Sequence, residues 1–394
     1  MTISVGVFFG GGSVEHEVSI ISALQALHNF DRTKYDAFPI YVSKDWKMYL
    51  GDLLSKITSY RDMPSLLKKS VRVTAVMENA RVLLTRYPMK KFGSSVVRAL
   101  DVAFPIGHGT TMEDGVLQGY LRSLSVPFVG CDVTASAVGM DKYITKVLLR
   151  DAGLPVLDCR KIPASAFFRD KTQVIDDILG VFKFPVVVKP LNLGSSVGIS
   201  WVNDASELKE GLEEVFYYTN TALAEPAVQN LREINCAVLG DSESVEASEC
   251  EEPLLGHAVL GYDDKYSGGV KDGGAKGMAS AKRKLPADIT PSQRDKIRSL
   301  AGRAFQALDC RGAARVDFLM DGVSGEIYVN ELNTIPGSLS FYLWEAVGMP
   351  YKELLDRMIE LALKRERDEA GVTRSFDTNI LSNFSEGAKG LKHS

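Results

Sequence analysis

The stretch from Arg315 to Gly337, RVDFLMDGVSGEIYVNELNTIPG, gathers a guanidinium, carboxylates and side-chain amides into one short segment. Its two halves alternate in polarity around Asp321-Gly322 and Ser324-Gly325, the signature of two strands joined by a tight turn. Pairing that is symmetric about this turn sets Asp317 opposite Glu331 and Arg315 opposite Asn333, and alternation puts all four on one face. Two carboxylates and an amide oxygen converging beside a guanidinium form a hard-oxygen pocket suited to magnesium. The following Asn333-Thr334-Ile335-Pro336-Gly337 ends the strand and lets backbone come close to a ligand. Taken alone, the pattern is more simply that of a charged, solvated hairpin face. The rest of the chain decides.

The elements that must position these groups are of two kinds. An apolar run from Ile3 to Phe9, the turn Gly10-Gly11-Gly12 and an amphipathic segment from about Val14 to Leu27 read as strand, turn and helix, the opening of an α/β domain. Ser13 is the expected N-cap; Glu15 suits the helix dipole or a ligand ammonium. The glycines do not follow GxGxxG, so no dinucleotide site is expected. Phe38 to Val42 reads as a second strand, and the segment from Gly51 to Val96, with a β run at Val71 to Val76, as a decoration of this domain. Asp101 to Ile106 reads as a buried strand running into the glycine-rich loop that begins at His108, where open α/β sheets place ligands. His108 fits a structural hydrogen bond as well as a functional one. Val126 to Gly130 reads as another short strand.

A first domain boundary falls at Met140-Asp141-Lys142, with Lys142 opening a helix that ends near Gly153. Val174 to Phe182 reads as a helix, and Phe184 to Pro190 as a strand carrying Lys189. The polar loop after it, Leu191 to Ile199 with Ser195 and Ser196, can fold over phosphates through free NH groups and hydroxyls, or be a plain hairpin. Leu223 to Val228 is extended and carries Glu225, suited to a nucleotide pocket or to an edge strand. Tyr262 to Leu285, with Lys265, Tyr266 and many glycines, reads as a lid or a disordered loop. Pro291 to Leu308, Ser340 to Val347 and Tyr351 to Arg367 read as helices, and Glu369 to Ser394 as a loosely attached polar tail.

A net charge of -4 leaves no electrostatic footprint for nucleic acid or an anionic membrane. The odd, scattered cysteines without a CxxC pair argue for reduced thiols and against a disulfide framework or zinc site. No run is long and apolar enough to span a bilayer, and the N-terminal residues lack a basic region, so a cytoplasmic protein with small-molecule partners is expected. Two lysines, a glycine-serine flap, a lid with Lys265 and an acidic hairpin together offer cations and donors to a polyphosphate and oxygens to its magnesium. Positioning and electrostatics of that kind suffice for phosphoryl transfer.

The chain resembles the D-alanine:D-alanine ligases of the ATP-grasp superfamily over nearly its whole length. The motifs that carry the resemblance are GGGSVEHEVS from Gly10, HGTTMEDGVLQG from His108, SAVGMDK from Ser136, VVKPLNLGSSVGI from Val187, YDDKY from Tyr262, RVDF from Arg315 and NELNTIPG from Asn330. The resemblance implies a mixed α/β and α+β fold of three domains, with an N-terminal open α/β domain over residues 1–140. Residues 141–228 would form a central ATP-grasp subdomain and 229–394 a C-terminal one with metal site, lid and tail.

It further implies ATP and two Mg2+ ions, or Mn2+ in their place, a homodimer, and ligation through a D-alanyl phosphate. Lys142, Lys189, Ser196 and Lys265 would serve the phosphates, and Glu225 the nucleotide pocket. Asp317, Glu331 and Asn333 would bind metal, and Arg315 with the backbone of Gly337 the oxyanion. Glu15, linked to Ser195 and Tyr266, would hold the first amino group, and His108 would lie near the first carboxylate. The sequence departs from the family at Met112, where a glycine is common, in a longer lid, and in a shorter segment after Gly337, where Ser338 or Ser340 would take the acceptor carboxylate. An acceptor other than D-alanine, such as D-lactate or D-serine, and a nucleotide binder without turnover are the alternatives.

Overall fold

The computed structural model describes residues 2–194, 198–254, 282–373, 378–379, 384–385 and 392–393. Three main sheets organise them. The first has seven strands in the order β6-β5-β4-β3-β2-β1-β7: β1 (Ile3–Gly10), β2 (Tyr35–Val42), β3 (Met48–Leu50), β4 (Val71–Glu78), β5 (Arg81–Arg86), β6 (Val96–Leu100) and β7 (Val102–Pro105). β1 pairs in parallel with β2 and β7, whereas β3 to β6 extend the sheet antiparallel. The segment that carried least sequence signal therefore widens the first sheet. Val126 to Gly130 contributes an isolated parallel bridge, Ala103 to Phe128, rather than a strand.

The first helix spans His16–Asn29. Ser13 does not cap it: its Oγ accepts from the Glu15 N–H, the helix begins after Glu15, and no side chain caps its end. The helix Lys142–Asp151 is capped by Asp141, whose Oδ1 accepts from Tyr143 and Ile144. Such a cap contributes about 1 kcal/mol and fixes where Lys142 stands.

The second sheet is antiparallel, in the order β10-β9-β11-β8, from β8 (Arg160–Pro163), β9 (Val186–Pro190), β10 (Ser200–Val202) and β11 (Thr221–Pro226). Helices Lys171–Leu179, somewhat earlier than its sequence reading, and Ala205–Tyr218 cover one face with Ile178, Leu208, Leu212 and Val215. The third sheet runs β14-β13-β12-β15-β16, with β12 (Leu231–Gly240), β13 (Val245–Pro253), β14 (Arg283–Lys284), β15 (Gly312–Asp321) and β16 (Ile327–Asn333). Ala314, Val316, Phe318 and Met320 of β15 point to a core shared with helix Pro291–Ala307, so Arg315 and Asp317 face the other way. Burying side chains such as Phe318 contributes about 1.5–3 kcal/mol each, which fixes this register.

Helix Tyr351–Glu369 joins the first and third sheets, because Leu354, Leu355, Met358 and Ile359 share one core with Val5, Phe9, Leu239 and Ala313. The expected helix from Ser340 to Val347 is only Phe341–Glu345. Before it lies a tight turn at Gly337–Ser340 in which Ser338, Leu339 and Ser340 have φ of 52°, 54° and 49°. Three successive left-handed residues that are not glycine cannot continue a right-handed helix, which is why helix starts late. Most of the lid and most of the tail lie outside the described residues; the end of the lid segment forms β14.

Candidate active site

The hairpin pairs as its alternation requires, with Asp317 opposite Glu331 and Arg315 opposite Asn333. Beyond Asp317 the register shifts, so that Phe318 faces Val329, and Asn330 is the extra residue of a β-bulge. The bulge matters because Val329 and Leu332 are buried in the core while Asn330 and Glu331 are both left partly exposed. Arg315 grips Asp317 with two bonds, Nε to Oδ1 and Nη2 to Oδ2, each 2.6 Å. Asn333 Nδ2 donates to Asp317 Oδ2 at 3.1 Å. With its amide nitrogen turned toward the carboxylate, Asn235 on β12 donates to Oδ1 at 3.2 Å. Burial alone would lower the pKa of Arg315, but the Asp317 carboxylate outweighs it and holds the guanidinium charged.

Two ammonium groups face this hairpin. Lys189, at the end of β9, lies 2.5 Å from Glu225 Oε1 on β11 and donates to Asn330 Oδ1 at 3.1 Å, so it spans from the second sheet to the third. Lys142 donates to the Leu193 carbonyl at 2.7 Å and lies 3.4 Å from Glu331 Oε2. Beneath them Lys146, fully buried, lies 3.0 Å from Glu225 Oε2. Burial pushes the Glu225 carboxyl up, but Lys146 and Lys189 more than reverse this and bring it to about 2. On this side of the cleft three ammoniums face the two carboxylates of Glu225 and Glu331, a local arrangement suited to phosphate.

The first sheet supplies a third wall. Glu15 is buried, and a side chain at Gly109 or Gly194 would strike its carboxylate, with Oε2 2.7 Å from the would-be Cβ in both cases. Two glycines from separate loops thus leave room around one acid. Met112, the departure in the His108 loop, is fully buried and fills the space left by Gly11 and Gly107. His108 Nδ1 donates to the Ile335 carbonyl at 2.9 Å, and its Nε2 lies 2.8 Å from Ser22 Oγ. Burial pulls its pKa down to about 4, so the ring is neutral at pH 7. Both ring nitrogens are engaged by protein groups.

Ser338 and Ser340 are buried, and the Ser338 N–H donates to Ser22 Oγ at 2.9 Å. Ser340 Oγ has no partner among the described residues. Ser195, Ser196, Lys265 and Tyr266 lie outside those residues. Of the expected residues that are described, Glu15, His108, Lys142, Lys189, Glu225, Arg315, Asp317, Glu331, Asn333, Gly337, Ser338 and Ser340 all belong to the connected walls of this cleft. Sequence reading missed Lys146, Asn330, Asn235, Glu113 and Ser22. Lys146 stands four residues after Lys142, a helical spacing that could have flagged it. Asn330 carried no signal, because only the bulge turns it to the cleft. Among the described residues no group of three or more His, Cys, Asp or Glu side chains is placed to hold a metal. Asp317, Glu331 and Asn333 nonetheless offer the hard-oxygen donor set that magnesium takes.

Two family models match the chain, the D-ala D-ala ligase N-terminus over residues 4–131 and the D-ala D-ala ligase C-terminus over residues 148–360. Among similar proteins, the D-alanine--D-alanine ligase of Thermosipho melanesiensis is 36% identical over 96% of this chain and 98% of its own. The D-alanine--D-alanine ligase A of Chromobacterium violaceum is 40% identical over 95% and 98%. The solved D-alanine-D-alanine ligase from Coxiella burnetii superposes with a TM-score of 0.76 at 31% identity, covering 94% of this chain and 96% of that one. The VanG D-Ala:D-Ser ligase from Enterococcus faecalis reaches the same TM-score at 28% identity, covering 92% and 100%. A cleft with ammoniums from one sheet and an adjoining helix, a guanidinium and acids on a second sheet and a glycine-lined carboxylate beside a third is thus accompanied by likeness over more than nine-tenths of the chain, and the chain belongs to the D-alanine:D-alanine ligase family, with its ATP-grasp fold.

Proposed function

We propose that the protein catalyses ATP-dependent ligation of two D-alanines to D-alanyl-D-alanine, with release of ADP and phosphate, supplying peptidoglycan precursor synthesis in the cytoplasm. The observation that carries this reading is Lys189 joining Glu225 to Asn330, which with Lys142 beside Glu331 brings ammoniums from the second sheet and its neighbouring helix to the hairpin that carries Asp317, Glu331 and Asn333. ATP phosphorylates the carboxylate of the first D-alanine. The amine of the second attacks the acyl carbon, and the tetrahedral centre expels phosphate.

In this reading Lys142 and Lys189, joined by Ser196 and Lys265, hold the phosphates, and Glu225 borders the nucleotide while fixing Lys189. Glu15, with Ser195 and Tyr266, receives the first ammonium. Arg315 spends Nε and Nη2 on Asp317, leaving Nη1 to meet the oxyanion together with the Gly337 N–H. Asp317, Glu331 and Asn333 would hold magnesium, whose charge would offset that of the phosphates. The chain works as a homodimer of three-domain subunits divided near residues 140 and 228. His108 borders the first carboxylate through the backbone it holds.

A second reading, with D-serine or D-lactate as acceptor, is favoured by the left-handed turn at Ser338–Ser340, which replaces the family's longer segment. Equal superposition on a D-Ala:D-Ala and a D-Ala:D-Ser enzyme leaves the choice to that turn. The deciding experiment measures ATP- and magnesium-dependent ADP release, with mass detection of product, for D-alanine alone and paired with each acceptor. D-alanyl-D-alanine as preferred product supports the first reading. ADP only with another acceptor transfers the assignment, and no ADP with any pair leaves a nucleotide binder.

A further inference from the structure

The turn at Gly337–Ser340 places three successive non-glycine residues in the left-handed region. Ser338 and Leu339 sit at φ 52° and 54° and Ser340 at φ 49°, where Cβ crowds the following carbonyl, so the turn needs anchors to hold it. Leu339 N–H donates within the turn to the Pro336 carbonyl at 2.8 Å. The other anchors come from the first sheet's side of the molecule. Glu113 Oε1 accepts from the Ile335 N–H at 2.9 Å and from Thr334 Oγ1 at 3.4 Å, and its Oε2 accepts from the Gly109 N–H at 3.2 Å. His108 holds the carbonyl of the same Ile335.

The proton positions follow. A carbonyl can only accept, so His108 Nδ1 carries the hydrogen and Nε2 accepts. The Ser22 hydroxyl therefore donates to Nε2, and its oxygen accepts from the Ser338 N–H. Glu113, His108 and Ser22 are all buried, which removes water as a substitute partner.

We infer that Glu113 is a positioning residue: with His108 and Ser22 it forms a clamp by which the N-terminal sheet holds the left-handed 337–340 turn in its working shape. Its carboxylate oxygens are occupied by Ile335, Thr334 and Gly109, so it acts through the turn rather than on substrate. The inference rests on the ligase reading for its kinetic consequence, and on geometry alone for its structural one.

The test compares wild type, Glu113→Gln and Ser22→Ala by turnover with D-alanine, ATP affinity by calorimetry, and hydrogen exchange of peptides covering 333–340. Gln keeps the size of Glu113 but exchanges one acceptor oxygen for a donor, so it cannot serve both Ile335 and Gly109. Both variants should lose on the order of tenfold to a hundredfold in kcat, as expected for misplacement of reacting groups by about 1 Å. Exchange over 333–340 should quicken while ATP affinity stays within about twofold, because the lysines are untouched. Wild-type kcat in both variants overturns the clamp, and so does a loss of kcat with unchanged exchange, which would assign Glu113 to substrate contact. Wild-type protein that releases no ADP defeats the ligase reading instead, and the exchange measurement still decides whether the clamp exists.

Discussion

Glu331 sits on the rim of the cleft with Lys142 3.4 Å away, whereas Asp317 lies deep beneath Arg315 and two amides. Removing the first therefore disturbs little packing. Glu331→Ala is expected to lower turnover by about two orders of magnitude or more while the thermal midpoint moves little, since a partly exposed acid contributes little to the fold. Normal ADP formation in that variant, once shown to be folded, would refute the metal assignment. His108 makes a different prediction. Its folded pKa of about 4 lies below the unfolded value of about 6.5, so its contribution to stability is complete above pH 6.5 and lost as pH falls toward 4. Glu113, raised to about 7 by burial and by neighbouring Glu15, acts in the opposite sense, its contribution falling as pH rises from 4.5 to 7. Denaturant unfolding at pH 7.5 and 5 should show a shallower acid loss in His108→Gln than in wild type. Parallel pH dependences in the two proteins would mean that His108 is not held neutral.

At the scale of elements, the β16 bulge and the left-handed turn set what the cleft presents. The bulge gives Lys189 its partner on the third sheet, so Asn330→Ala is expected to weaken ATP binding about tenfold, by about 1.5 kcal/mol, the lower end for a hydrogen bond to a charged group, with little change in the thermal midpoint. Calorimetric titration with ATP checks it, and an unaltered affinity would detach Lys189 from the nucleotide. Ser340 combines a left-handed backbone with a buried hydroxyl that has no partner among the described residues. Ser340→Gly removes both costs and adds chain entropy of roughly 0.5–1 kcal/mol to the unfolded state, a net stabilisation of about 1 kcal/mol. If this hydroxyl holds the acceptor carboxylate, the same variant raises KM for the second amino acid alone. A lower midpoint together with unchanged KM would mean that the serine is simply well packed.

For the whole molecule, the consequence of placing the cleft between sheets is that the residues proposed to contact the nucleotide also carry stability. Lys146 and Lys189 together hold one buried carboxylate, and removing a partner from such a group costs about 3–5 kcal/mol. Lys146→Met should therefore lower the midpoint markedly, and saturating ATP, by binding only the folded chain, should restore part of it. Failure of ATP to raise the midpoint of either protein would argue against a nucleotide between these sheets. Much of this was legible in the sequence, for reasons that are local. Alternation and a turn determined the hairpin, and with it the faces of Arg315, Asp317, Glu331 and Asn333, because side chains alternate along the strands up to the bulge at Asn330. Ordered motifs carried the family. Tertiary structure alone decided the rest. A bulge turned Asn330 to the cleft, the Gly337–Ser340 segment became a left-handed turn rather than the start of a helix, and Ser22, His108 and Glu113 met it from far along the chain. Those contacts exist because distant segments bury apolar surface together in one core, and no local pattern encodes which polar groups that burial brings face to face.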